Sequence, residues 1–349
     1  MSASPGGAAR TPAADPTAVR GKAATGERSV KLGVNFAWHV HPWEDLLVLV
    51  RRAEELGYSA AFIDGDTAML TSRKDADTLD GWTATTALVL ETSRIEIGSL
   101  RLVHFWNAAR LAQSVASLER IAPGRLRFLI SIGDRSGDDR FGLPLPPVSE
   151  RIEWLDETLT ATRSLWRGDC VTLRGKFLEL EEARVRPIPR GGHLPVAIAA
   201  ARPRMLELVA THADSWDINL PAIPKRVREA EANLSRACAR LGRDPTAIER
   251  SQLLFCRTCG PNQDGVTFRA TALAEYRRLN PWFSRISDDE IEGSLVLGER
   301  DSCQEQLVSL AASLRLDLPV VDLSGLALVP SLQVLEDLAP ILDSGEMAR

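Results

Sequence analysis

The chain has 349 residues, of which 44% are hydrophobic and 26% charged, and its formal net charge is −5. This is the composition of an ordinary globular protein. Lysine and arginine are spread along the chain rather than collected in one patch, which argues against nucleic acid as a partner. No apolar run reaches the length of a membrane span, which argues against a membrane protein. Five cysteines in so long a chain argue against a disulfide framework.

The amino-terminal segment differs in amino-acid composition from the rest of the chain. Residues 1–28 are rich in alanine, glycine, proline and threonine, and they lack the apolar stretch of a signal peptide. We therefore predict a disordered head over residues 1–28, one domain over residues 29–349, and a cytoplasmic location.

After this head, short apolar segments of strand length alternate with longer segments of helical spacing. In the first half, strands are predicted at 31–36, 58–63, 94–103 and 125–132. The helices predicted after them cover 42–55, 80–91, 107–121 and 149–166.

The second half continues the alternation. Its predicted strands are 195–199, 215–219, 251–259 and 317–323, and its predicted helices are 202–212, 224–241 and one that starts near 301. Residues 171–180 predict an excursion hairpin, and residues 266–297 follow neither pattern. Eight strands alternating with helices predict an α/β fold, a parallel sheet closed into a single (β/α)₈ TIM barrel.

The predicted barrel directs attention to one end of the molecule, because barrel enzymes carry their catalytic groups where the strands end. The residues that follow the predicted strands include Trp38, His39, His41, Asp64, Asp66, His104, Phe105, Trp106, the run 133–140, the run 201–204, Ser324 and Gly325. Aromatic rings, histidines and paired charges at one mouth suit a flat, partly apolar ligand with a charged tail.

Two local motifs suggest a metal, and neither is complete. His39 and His41, one residue apart after the first strand, resemble the zinc ligands of amidohydrolases. The later strands do not supply the further ligands that such a site needs, so we expect no metal. Cys256 and Cys259 form a lone CxxC pair inside a predicted strand, where both are predicted to be buried small hydrophobic residues.

Several short segments resemble the luciferase-like family, in particular its actinobacterial branch that uses the deazaflavin coenzyme F-420. They are AEELGY (53–58), WTATTAL (82–88), SRIEIGS (93–99), LAQ (111–113), GRL (124–126), Arg151 with LDE (155–157), LW (165–166), GKF (175–177), PIP (187–189), ADSW (213–216) and GRDP (242–245). Their order and spacing across residues 32–251 make the set specific, whereas the carboxyl-terminal third matches loosely.

The resemblance implies a TIM barrel of the bacterial-luciferase-like type, with a coenzyme ring in the mouth over the third strand. It implies a non-prolyl cis peptide near Leu100 and Arg101, which forms a bulge behind the ring. The family also ends its second strand with an acidic residue followed by histidine near the ring. In this chain the acid is Asp64, and Gly65 stands in place of the histidine.

The resemblance further implies that the coenzyme's phosphate lies on glycine-bearing loops after the fourth and fifth strands. Glycine lets backbone N–H groups approach an anion closely. Here the first loop begins Gly133-Asp134-Arg135, and the second is Ala201-Arg202. Asp134 would repel a phosphate, whereas Arg135 or Arg202 could bind one through a guanidinium fork.

The sequence thus predicts an oxidoreductase that uses reduced coenzyme F-420 or FMN to reduce or oxygenate a small organic substrate. Asp64 is the candidate near the ring, and His39, His41 or His104 is the candidate for acid–base work on the substrate. The alternative is a degenerate barrel that has lost the coenzyme and acts as a binding protein or a non-redox catalyst, which the altered loops favour. A homodimer stays open as an alternative to a monomer.

Overall fold

The computed structural model describes residues 31–37, 41–63, 65–66, 79–133, 142–143, 145–261 and 263–344. The predicted head and four predicted site residues, His39, Asp64, Asp134 and Arg135, lie outside these ranges.

The strands are β1 Gly33–Asn35, β2 Ala60–Ile63, β3 Glu96–Leu102, β4 Leu126–Ser131, β5 Val171–Arg174, β6 Glu179–Ala183, β7 Val196–Ala200, β8 Ser215–Ile218, β9 Glu249–Thr258, β10 Val296–Gly298 and β11 Leu318–Asp322. The helices are α1 Trp43–Glu55, α2 Gly81–Glu91, α3 Ala108–Ile121, α4 Val148–Arg167, α5 Pro203–His212, α6 Pro224–Arg240, α7 Gly265–Leu279, α8 Asp288–Glu292, α9 Arg300–Leu314, α10 Leu328–Leu338 and α11 Pro340–Ser344.

Eight of these strands close into a parallel barrel in the order β1, β2, β3, β4, β7, β8, β9 and β11. The last strand pairs with the first, since Gly33 lies opposite Val320 and Asn35 opposite Asp322. The predicted TIM barrel is confirmed. Because all eight strands are parallel, their carboxyl ends share one rim, and that rim forms the mouth.

The aromatic ring of Phe62 occupies part of the barrel interior. Phe62 of β2 points inward, and glycines on the neighbouring strands make room for it. A Cβ on Gly98 would lie 2.6 Å from the Phe62 ring, and one on Gly33 would lie 3.2 Å from Val320 and 3.5 Å from the same ring. Gly98 therefore leaves no room for a side chain, and Gly33 leaves little.

Side-chain caps set the helix starts close to where the sequence predicts them. The Asp80 carboxylate accepts the Thr83 N–H at the start of α2. The Asn107 side chain accepts the N–H groups of Ala109 and Arg110 at the start of α3. Such caps satisfy backbone donors that have no partner within the helix.

The predicted hairpin is confirmed as the antiparallel pair of β5 and β6. The Glu157 carboxylate of α4 accepts the N–H groups of Lys176, Phe177 and Leu178 and so fixes the turn to the helix. A Cβ on Gly175 would lie 2.3 Å from that carboxylate, which explains the glycine in the turn.

The stretch with no clear sequence pattern, 266–297, folds as α7, α8 and the short strand β10. β10 pairs with the end of β9, where Val296 lies opposite Cys256, so β9 extends beyond the barrel. Cys256 is buried as predicted, but the prediction for Cys259 is wrong because this residue follows the end of β9 and stays partly exposed. No helix within the described ranges is long and apolar enough to cross a membrane.

Candidate active site

A cavity of about 120 Å³ opens inside the barrel beneath the mouth. The described residues that line it are Asn35, Ala37, Phe62, Ile63, Gly65, Ser99, Leu100, Leu129, Asp217, Leu253 and Val320. Most of them are apolar, and Asp217 is the one residue of this set with an ionisable side chain. The cavity therefore offers an apolar enclosure with very few polar contacts.

Asn35, at the end of β1, is held in one orientation by the end of β11. Its amide donates to Asp322 Oδ1 at 2.9 Å and to Ser324 Oγ at 3.1 Å. Its Oδ1 accepts the N–H of Ala37 at 3.3 Å. Asp322 also accepts the Ser324 N–H at 3.0 Å. The side chains of Asn35, Asp322 and Ser324 therefore tie the end of β1 to the end of β11.

Asp217 lies in β8 and faces the interior, beside Ala199 of β7 and Ser251 of β9 in the strand register. The Ser251 hydroxyl donates to its carboxylate at 3.5 Å, which is long for a hydrogen bond. Burial raises the pKa of Asp217 to about 6, while Ser251 and Arg127 act in the opposite direction. A carboxyl with this pKa can take up or release a proton near neutral pH.

Arg127, the positively charged residue that lowers the Asp217 pKa, is already engaged at the amino end of the barrel. Arg127 of β4 donates to Glu96 at 2.9 Å and also pairs with Glu249 of β9. Two carboxylates thus share the Arg127 guanidinium. This explains why Arg127 lowers the Asp217 pKa only in part.

A second enclosed carboxyl, Asp66, lies just after β2 and is bonded on every side. It pairs with Arg101 at 2.7 Å, and its other oxygen accepts the Leu102 N–H at 2.8 Å and the Trp106 indole N–H at 2.7 Å. Burial raises the pKa of Asp66, and these partners pull it back down. This cluster fixes Asp66 against the end of β3.

The Arg101 side chain points away from the cavity, and its predicted place behind the coenzyme ring stays a prediction. Successive residues of a strand point to opposite faces, so Leu100 lines the cavity while Arg101 points out of the barrel. The Arg101 side chain is 0% exposed, donates to Ser99 at 2.8 Å, and lies 5.6 Å from the Trp82 ring centroid. The sequence prediction missed this because the partner, Asp66, comes from another loop.

The prediction of a cis peptide near Leu100 and Arg101 is wrong. Among the described residues the cis bond is Arg186–Pro187. β3 pairs with β4 without interruption from Ile97 to Leu102, which leaves no bulge. Gly65 approaches this strand so closely that a Cβ would lie 2.1 Å from the Leu100 carbonyl oxygen. The strand therefore occupies the space that a histidine side chain at position 65 would need.

The two predicted histidines within the described ranges are both buried, and neither lines the cavity. His104 lies in a short 3₁₀ helix after β3, with its ring 4.8 Å from that of Phe105. Gly133, at the end of β4 with φ +69°, leaves room for it, since a Cβ would lie 3.0 Å from His104 Cε1. His41 is buried just before α1.

The predicted phosphate loops fall only partly within the described residues, which include Gly133, Ala201 and Arg202. Arg202 is exposed and directly precedes α5, where its side chain makes no capping hydrogen bond, and Pro203 is the first helical residue. Within the described residues no carboxylate pairs with Arg202. After β4, the buried Arg151 donates to the carbonyls of Ile132 and Gly133 and fixes the point where that loop begins.

Some of these residues were missed by the sequence prediction, chiefly Asn35, Asp217 and Asp322. One signal was available for Asp217 in the strand Ser215–Ile218, because an acid in a strand enclosed on both faces is rare without a role or a partner. For Asn35 and Asp322 the pairing of the first and last strands had to be known first.

A second cavity, of about 570 Å³, lies outside the barrel between the end of β9, α7 and α10. Its charged groups are already engaged, since Arg257 pairs with Glu275 at 3.0 Å and Asp264 accepts backbone N–H groups at the start of α7. Across the part of the chain that the structure describes, no group of three or more His, Cys, Asp or Glu side chains is arranged to hold a metal.

Comparison with known proteins identifies relatives of this chain. Curated relatives include the phthiodiolone/phenolphthiodiolone dimycocerosates ketoreductase of Mycobacterium tuberculosis, 29% identical over 163 residues, which are 46% of this chain and 42% of the relative. Another is the F-420-dependent glucose-6-phosphate dehydrogenase of Mycobacterium avium, 30% identical over 135 residues, or 38% and 40% of the two chains. The matched part spans less than half of either relative.

Solved structures share the fold at low identity. An F-420-dependent secondary alcohol dehydrogenase in complex with an F-420–acetone adduct has a TM-score of 0.76 at 16% identity, over 90% of this chain and 99% of the other. The EDTA monooxygenase of Chelativorans sp. BNC1 has a TM-score of 0.74 at 14% identity, over 91% and 94%. The family of luciferase-like monooxygenases matches residues 16–316, and this chain therefore belongs to that family.

Proposed function

We propose that this protein is an oxidoreductase that uses coenzyme F-420 or FMN to reduce or oxygenate a small organic substrate. The observation that carries the proposal is the small, largely apolar cavity at the mouth of a barrel of this family. The named relatives support it, since they include a ketoreductase and an F-420-dependent dehydrogenase.

The described residues fit such a coenzyme in two respects. Sites that enclose drug-sized ligands measure about 300–1,000 Å³, so a cavity of about 120 Å³ is too small for a three-ring system. A flat ring would instead lie above the cavity, and the residues that would hold it are those of the apolar rim, which includes Ala37, Ile63 and Leu100. At the start of α5 the exposed Arg202 stands beside free helix N–H groups, which together suit an anionic tail.

When bound, the coenzyme supplies the hydride or oxygen chemistry. The chain's own residues exclude water and orient the ligand. Phe62, Leu129 and Val320 form dry walls, and the Asn35 side chain is fixed by Asp322, so it needs no reordering when a ligand arrives.

The direct test is titration of the purified protein with F-420 and with FMN, followed by absorbance or fluorescence. We expect at least one coenzyme to bind. Arg202→Ala should weaken that binding roughly ten- to hundredfold, as expected for the loss of a charge-assisted bond of about 1.5–3 kcal/mol. It should also reduce the dependence of binding on salt.

The matched control is Arg240→Ala, which removes the same charge from the end of α6, where Arg240 pairs with Glu207 at 2.9 Å on the surface. This variant should bind like the wild type. If the wild type binds neither coenzyme at millimolar concentration, the proposal fails and the coenzyme-free barrel becomes the better hypothesis.

A further inference from the structure

We propose that the cavity receives the oxygen-bearing end of a small alcohol or ketone substrate, and that Asp217 hydrogen-bonds this oxygen and exchanges a proton with it. The inference rests on the proposed function and adds to it a substrate class and a catalytic residue. It begins from the position of Asp217 inside the barrel rather than in a loop at the rim.

The size of the cavity limits what can enter. A volume of about 120 Å³ is well below the roughly 300–1,000 Å³ of sites that enclose drug-sized ligands. It suits a short group such as a propanol or acetone unit better than a sugar. Its walls, formed in part by Phe62, Leu129 and Leu253, favour the carbon atoms of such a group.

An oxygen atom in an apolar enclosure must find a hydrogen-bonding partner, because burying it without one costs free energy. Among the described residues, the polar side chains that line the cavity are those of Asn35, Ser99 and Asp217. Ser99 is already bonded to Thr85 and Arg101. Asn35 already uses both amide hydrogens on Asp322 and Ser324 and its oxygen on Ala37. Asp217 therefore has the larger unused capacity.

The surroundings of Asp217 leave that capacity open. A carboxylate has about four acceptor sites, and within the described part of the chain the contact that fills one of them is the long 3.5 Å bond from Ser251. Arg127 of β4 is held by Glu96 and Glu249, so it does not form an ion pair with Asp217. Within the described residues, the charged group that acts on Asp217 is thus Arg127 at the amino end of the barrel, while the cavity borders Asp217 on another side.

The reaction balances with Asp217 as the proton source. Reduction of a ketone adds a hydride to the carbonyl carbon and a proton to the oxygen, so that C=O becomes CH–OH. The hydride comes from the reduced coenzyme of the proposed function, which is oxidised by two electrons. The proton leaves the Asp217 carboxyl, which becomes a carboxylate, and alcohol oxidation reverses both transfers.

The proposal predicts opposite pH dependences for the two ligands. Burial raises the Asp217 pKa to about 6, against the smaller effects of Ser251 and Arg127. Below that pH the protonated carboxyl donates to a ketone oxygen. Above it the carboxylate accepts from an alcohol. Ketone binding should therefore be stronger at pH 5 than at pH 8, and alcohol binding should be stronger at pH 8.

The first arm of the test needs no coenzyme. The protein is labelled with ¹³C in its aspartate carboxyls, and Asp217→Asn identifies the Asp217 signal by its loss. Acetone and 2-propanol are the probes. We expect acetone to raise the titration midpoint of this signal and 2-propanol to lower it. A signal that responds to neither probe at molar concentration overturns the proposal.

The second arm measures kcat/KM against pH for alcohol and ketone substrates with whichever coenzyme binds. Asp217→Asn should lower kcat/KM at least tenfold and abolish the pH step attributed to this carboxyl. Ser251→Ala keeps the carboxyl but removes the hydroxyl that donates to it, so the step should move to higher pH while turnover persists. An unchanged rate and pH step in Asp217→Asn would contradict the inference. Failure of the wild type to bind a coenzyme would instead defeat the proposed function and leave the NMR result to decide on Asp217.

Discussion

Two enclosed carboxyls, on either side of the barrel wall, show how differently this fold treats an acid. Asp66 lies outside the barrel with Arg101 as its ion-pair partner and with N–H donors from Leu102 and Trp106. Asp217 lies inside with one long contact from Ser251 and a cavity beside it.

This difference separates a carboxyl that stabilises the fold, Asp66, from one that can bind a ligand, Asp217. A carboxylate with both oxygens engaged by the protein binds a ligand only by giving up some of those bonds. Asp66 is of this kind and is fixed against the end of β3. A carboxyl that the protein leaves largely unbonded keeps its acceptor sites for something else. The predictions below test that distinction.

The largest expected effect is that of Asp66→Ala. Removing one partner of a buried ion pair leaves the Arg101 charge uncompensated, which costs about 3–5 kcal/mol. Urea unfolding should show this loss in the free energy of unfolding. The control is Glu91→Ala, which breaks the exposed pair with Arg51 and should cost at most about 1 kcal/mol. A loss at Asp66 no larger than at Glu91 would refute a structural role for the buried pair.

Asp217→Asn should change how stability depends on pH. The folded state holds the Asp217 proton up to a pKa of about 6, whereas the unfolded carboxyl loses it near its ordinary value of 3.8. Between these values the native state binds more protons, so wild-type stability falls as pH rises. The wild type should lose about 3 kcal/mol relative to the variant between pH 3 and pH 8, because each pKa unit is worth about 1.4 kcal/mol. Parallel stability curves for the two proteins would show that Asp217 is not held protonated by the fold.

Gly65→Ala tests how tightly the loop after β2 packs on β3. Its Cβ would lie 2.1 Å from the Leu100 carbonyl oxygen, so the backbone must shift. Overpacking of this kind costs about 1–3 kcal/mol, and the unfolding midpoint in urea should fall accordingly. Gly260→Ala is the matched control, because a Cβ there meets nothing within 4 Å. Equal midpoints for the two variants would contradict the close approach at Gly65.

The smallest expected effect is that of Trp106→Phe. This change keeps an aromatic ring but removes the indole N–H that donates to Asp66 at 2.7 Å. Loss of one hydrogen bond among several should cost about 1–3 kcal/mol at most, near the lower end because Arg101 and Leu102 remain. Urea unfolding again measures it. A loss as large as that of Asp66→Ala would mean that the indole, rather than the ion pair, holds the cluster.

Patterns along the chain were enough for the barrel, the hairpin and most element boundaries. Caps such as Asp80 and Asn107 act within a few residues, so their effect is visible in the sequence. β10 was missed because three residues are too short to show a period, and its pairing with the end of β9 becomes visible only in the folded chain.

Residues after the strands could be predicted as a group but not in their individual roles. The sequence by itself determined that the chain forms a parallel barrel of the luciferase-like family, because alternation and segment order are local properties. Only the tertiary structure decided that Arg101 turns to Asp66, that Gly65 lies against Leu100, and that Asp217 borders the cavity. These facts depend on strand register and on contacts between distant segments, and a shift of one residue would send each side chain to the other face.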